Sequence, residues 1–159
     1  TKAPLLGRER LLPGMMSLAA VRCLYKGEVD EAVECARRSV DLLTEIGWQT
    51  RLGLFQSRLM RALAVQGSKE EARQVRSDLD EFTKANGDLM RNDRALEILI
   101  NRAQAAHALG EDQVFRDAMH AAELLIEQHP NDPFVLQDRD MPALRDIVAQ
   151  GSAPSTSKP

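Results

Sequence analysis

Six glycines, Gly14, Gly27, Gly47, Gly67, Gly87 and Gly110, punctuate the chain at intervals of 13, 20, 20, 20 and 23 residues. Apolar residues recur at helical spacing between them, and no proline interrupts these stretches. A glycine just past a helix end can take the left-handed conformation that closes it, so each reads as a stop between helices. The spacing predicts helices over Met15–Lys26, Asp30–Ile46, Thr50–Gln66, Ser68–Asn86, Asp88–Leu109 and Glu111–Gln128, most of them about four to five turns long. Val29, Val33, Ala36, Val40 and Leu43 share one face of the second. Ser68-Lys69-Glu70-Glu71 is a capping box at the start of the fourth.

The pattern breaks at His129-Pro130-Asn131-Asp132-Pro133. A short helix over Met141–Ala149 is expected to follow, with Leu144, Ile147 and Val148 covering the end of a stack. The expected organisation is a leading segment over 1–13 that could be the remnant of a preceding helix, a helical domain over 14–150, and a polar, proline-containing tail over 151–159.

Composition narrows the function classes. Of 159 residues, 43% are hydrophobic, which suits one domain with a sizeable core, while aromatics at 4% and scarce β-branched runs favour helices over strands. A net charge of −3 gives no general attraction to nucleic acid or to an anionic membrane, and no apolar run is long enough to span a bilayer. The two cysteines, Cys23 and Cys35, do not make a disulfide framework. They read as small core side chains in a reducing, cytoplasmic setting.

The chain repeats itself around three of the glycines. Leu24-Tyr25-Lys26-Gly27-Glu28-Val29-Asp30-Glu31-Ala32, Ala64-Val65-Gln66-Gly67-Ser68-Lys69-Glu70-Glu71-Ala72 and His107-Ala108-Leu109-Gly110-Glu111-Asp112-Gln113-Val114-Phe115 each hold a helix end, a glycine, a polar acidic turn and a new amphipathic helix. This resembles the tetratricopeptide repeat. Ala20, Met60 and Ala103 fall on the family's small position in the first helix of each pair. Ala32 and Ala72 fall on the alanine of the second helix, where the third unit has Phe115. Ala122 matches the later alanine, where the first two units have Ser39 and Leu79. The units lie 40 and 43 residues apart, against about 34 for the standard repeat, and the tryptophan-tyrosine pattern of the consensus is absent. The resemblance implies an all-α fold of antiparallel helix pairs stacked as a right-handed solenoid, closed by the C-terminal helix. Trp48, following Gly47, is expected to pack between pairs.

Phosphate-loop, dinucleotide-binding, nucleophile-elbow and zinc-protease motifs are all missing from the sequence, so no catalytic residue, metal or cofactor is expected. His120, Glu123 and Glu127 share a helix face that reads as solvated surface. The third helix is more informative. It carries Arg51, Arg58 and Arg61 and no acid, and Arg51, Leu54, Arg58, Arg61 and Val65 share a face at spacings of 3, 4, 3 and 4.

In the family the first helix of each pair lines a concave groove. That implies a groove of Tyr25, Leu54, Arg58, Arg61, Val65, Asn101, Gln104 and His107, flanked by Ser17, Val21, Leu24 and Glu97. Such a groove would take a protein or peptide, with an acidic segment as one suitable partner for arginine. The competing reading pairs these arginines with acids on neighbouring helices. The expected role is a protein-binding scaffold without nucleic-acid or membrane partners. The alternatives are a regulatory or sensor segment of a larger signalling or transcription-regulator protein and, further off, an enzyme with an interhelical site. Self-association through the stack ends stays open.

Overall fold

The computed structural model describes residues 7–86, 92–133 and 135. Those residues form six α-helices and no strand: α1 (Gly7–Lys26), α2 (Val29–Ile46), α3 (Leu52–Gln66), α4 (Lys69–Asn86), α5 (Asn92–Leu109) and α6 (Asp112–Gln128), with a 3₁₀ turn at Gln49–Arg51 leading into α3. The expected helix over Met141–Ala149, the tail over 151–159 and the first six residues lie outside the described part.

The turns that end α1, α3 and α5 are built alike. Gly67 takes φ +93°, a conformation that a side chain would strain. This lets Gly67 N–H reach the Ala64 carbonyl at 3.1 Å and Ser68 N–H reach that of Leu63 at 3.0 Å. The same closure occurs 40 residues earlier, with Gly27 to Leu24 and Glu28 to Cys23. It recurs 43 residues later, with Gly110 to His107 and Glu111 to Ala106. α2 closes the same way, with Gly47 to Thr44 and Trp48 to Leu43, so all four glycine turns satisfy carbonyls that a helix end would otherwise leave bare. The Ser68 hydroxyl donates to Gln66 Oε1 at 2.8 Å, across the turn.

The positions matched between units are mostly interior. Ala20, Met60 and Ala103 are buried, as are Ala32, Ala72, Ser39, Leu79 and Ala122, and Phe115 packs against the core. The alanines among them let the helices lie close together, and Met60, Leu79 and Phe115 fill the space where the units differ. α2 packs along both α1 and α3, α4 along α3, and α6 along α5, while α3 and α5 also lie side by side. One buried cluster joins α1–α4 to Ile98, Ala105 and Leu109 on one side of α5. A second joins Leu96, Ile100 and Ala103 of α5 to α6 and to Val135 beyond it.

Two expectations need correction. Pro13-Gly14 does not start the first helix, because α1 begins at Gly7 and runs through both. Proline inside a helix forfeits a backbone hydrogen bond, but the Pro13 ring is fully buried, and that packing offsets the loss. Cys23 and Cys35 are half-buried at the edge of the core, not inside it. Trp48 is half-buried too, with the Arg51 guanidinium 5.0 Å above its ring.

Candidate functional site

α3 is the central helix, and its whole run from Ser57 to Ala64 is buried. Arg58 and Arg61 lie within that run, each only 9% exposed. Arg58 Nε and Nη2 donate to the two carboxylate oxygens of Glu97 on α5 at 2.8 and 3.0 Å, a two-pronged ion pair. Its Nη1 donates to Ser17 Oγ on α1 at 2.8 Å, and its guanidinium carbon lies 5.9 Å from the Phe55 ring. Arg58 is thus a strut across three helices, and for this residue internal pairing holds over display to solvent.

Arg61 sits one turn on. Its Nη1 donates to Asn101 Oδ1 at 3.4 Å, and its guanidinium carbon is 5.6 Å from the centre of the Tyr25 ring. The Asn101 amide donates to Ser57 Oγ at 3.0 Å, and that hydroxyl donates to the Leu54 carbonyl at 2.6 Å. Gln104 is buried next along α5, and Leu54 is half-buried against the core. The middle of the expected groove is therefore filled by its own polar side chains.

Tyr25 and Val65 are exposed at equivalent places on the last turns of α1 and α3. His107 is exposed on the last turn of α5, its ring 5.8 Å from that of Phe115. Of the eight residues expected to line a groove, these three are displayed, at one end of three neighbouring helices. Three helix C-termini carry partial negative charge, which disfavours an anion there.

Two other features were not legible in the sequence. α4 packs closely on α3 but only slightly on α5, and a cleft of about 440 Å³ opens where α4, α5 and α6 meet. Ile98, Leu99, Val114 and Ala118 are among its apolar walls, with Thr83, Arg102 and Asp117 as polar members. Arg102 is paired with Asp80 of α4. At the other end of α4, Arg76 and Arg73 hold Glu111 at 2.6 and 3.4 Å, which lowers the carboxyl below its ordinary pKa through hydrogen bonding and charge.

Cys23, Glu28 and Glu31 can bring one ligand atom each within 4.8 Å of one another. Partial burial, then Cys35 and the two carboxylates, push the Cys23 thiol up, toward the protonated form that binds metal poorly. His120, Glu123 and Glu127 all lie exposed on α6, as a solvated face should. Among the described residues no helix is long and apolar enough to cross a membrane.

No family model, curated protein or solved structure matches the chain.

Proposed function

We propose that the chain is a protein-binding scaffold module of tetratricopeptide-like helix pairs, stacked as a right-handed solenoid and working in the cytoplasm. The observation that supports this reading is the alignment of α1, α3 and α5. Successive units are joined by a side-chain donor on one helix and a buried serine on the previous one, and the last turns of these helices expose Tyr25, Val65 and His107. A rigid row of helix ends with an aromatic, an aliphatic and an imidazole group suits a partner segment that buries apolar side chains, held by few polar contacts. Because Glu97 neutralises Arg58, and Arg61 is buried and bonded to Asn101, apolar contact becomes the main source of affinity.

The test is affinity capture from source-cell lysate with mass spectrometry, comparing the wild type with a folded Tyr25→Ala, Val65→Ala double variant. A partner lost by that variant but retained by Leu124→Ala, on the far helix α6, supports the reading. A partner retained by all three places the binding surface elsewhere. The cleft beside α4 favours a second reading, a regulatory segment whose α4–α5 joint opens and closes. In that case a ligand in the cleft would change protection of α4 in hydrogen exchange and leave α1 and α2 unchanged.

A further inference from the structure

The repeat register identifies which face of each inner helix meets the preceding pair. On α5 it is Ile98, Asn101 and Ala105: Ile98 and Ala105 belong to the cluster of the earlier helices, and Asn101 bonds to Ser57. On α3 it is Phe55, Arg58 and Ala62, all buried, with Arg58 bonded to Ser17. The same positions on α1 are Met15, Leu18 and Arg22. There the face is open. Met15 is 63% and Leu18 is 56% exposed, and Leu11, one turn before Met15, is 62% exposed. Most of the large apolar side chains left exposed on the described residues lie on this one helix.

The chemistry of α1 shows what does not cover it. At both internal joints the central position carries a polar donor to a buried serine, but α1 has Leu18, which has none to give. At both joints the next position is an alanine buried to 1% or less, but α1 has Arg22, too large and too charged for that place. A further helix pair of this repeat, stacked in line, does not fit.

A second α1 avoids both obstacles. Leu11, Met15 and Leu18 are spaced 4 and 3, the seam of two packed helices, and the exposed Arg22 lies at its rim, where its stem covers apolar surface and its guanidinium stays in water. Gly14 lies beside it with nothing near where a side chain would be, so two backbones can approach closely. We propose that the chain forms a two-fold dimer through α1, with the two helices crossing near Leu18. The exposed apolar side chains of α1 offer on the order of 500 Å² per copy, hence about 1,000 Å² in total, the lower bound for a specific interface. An interface of this size fits a weak, reversible dimer.

Sedimentation of the full chain from ~1 to ~300 μM tests this, over a range that spans weak, reversible association. The expected result is a mass rising from one chain to two, abolished by Leu18→Glu and unchanged by Leu124→Glu. In a Cys23→Ser, Cys35→Ser background, Leu18→Cys should form a disulfide between copies under mild oxidation, a readout that holds even if Leu18→Glu folds poorly. A chain that stays monomeric throughout overturns the proposal, as does a dimer that Leu18→Glu leaves intact or the failure of Leu18→Cys to cross-link.

Discussion

The Asn101 amide donates to Ser57 Oγ at 3.0 Å, and it does so from the position one unit after Arg58, which donates to Ser17 Oγ at 2.8 Å. Two different side chains thus make the same contact at successive joints, each to a fully buried serine. The repeat is preserved as a donor-to-hydroxyl link and not as a residue identity. Ser57→Ala leaves the Asn101 amide buried with one bond fewer and should destabilise by about 1–3 kcal/mol. A double-mutant cycle with Asn101→Ala should give a coupling of about 1 kcal/mol, measured by urea unfolding. A coupling near zero would mean that the link contributes nothing to the joint.

The charged joint behaves differently. With both partners largely shielded, at 10% and 17% side-chain exposure, Arg58→Met strands the Glu97 carboxylate and should cost about 3–5 kcal/mol. The double replacement Arg58→Met, Glu97→Leu removes the stranded charge and should recover most of that loss. Thermal unfolding of the two variants and the wild type decides it. If the double variant is the least stable of the three, the ion pair itself, and not the avoidance of a stranded charge, supplies the stability.

This contrast marks what a reader of the sequence could and could not see. The turns at Gly27, Gly47, Gly67 and Gly110 were legible because a left-handed residue is a local requirement, and the four matching turn closures follow from it. The shared face of Arg58 and Arg61 was legible from helical spacing alone. Their pairing was not, because Glu97 lies 39 residues from Arg58 and its reach depends on how α5 is rotated against α3. Pro13 misled for the opposite reason. Its local preference is to break a helix, and burial of its ring in the tertiary structure overrode that preference. The parting of α4 from α5 has no local signature either, since both helices carry ordinary helical periodicity.

Gly53 is the residue that lets α3 and α4 meet. A methyl group there would lie 2.7 and 2.8 Å from two carbons of the Phe82 ring and 3.6 Å from Ile98 Cδ1. Alanine is the better helix former by up to about 1 kcal/mol, so propensity alone predicts stabilisation by Gly53→Ala. The crowding should outweigh it, giving a net loss of about 1–2 kcal/mol as Phe82 is forced aside. In a Phe82→Ala background the same substitution should become neutral or stabilising. Equilibrium unfolding of the four proteins in this cycle checks it, and a stabilising Gly53→Ala in the wild-type background would show that the ring moves at no cost.

Glu111 supplies the clearest dependence on pH. Hydrogen bonds from Arg76 and Arg73, together with their charge, hold its carboxyl below the ordinary value of 4.5 in the folded chain. The unfolded chain therefore takes up this proton first as the solution is acidified, and stability falls. The contribution is fully present above the unfolded value and disappears as pH drops through the lower, folded value. Glu111→Gln lacks it at every pH. The wild type should therefore be the more stable at about pH 7, with the gap narrowing below about pH 4.5 as the advantage is titrated away. Salt should shrink the gap as well, since Arg73 is partly exposed to solvent. Unfolding midpoints of both proteins across that range provide the measurement. Parallel curves would show that Glu111 titrates alike in the folded and unfolded chains, and that the arginines tie α4 to the start of α6 without drawing stability from its charge.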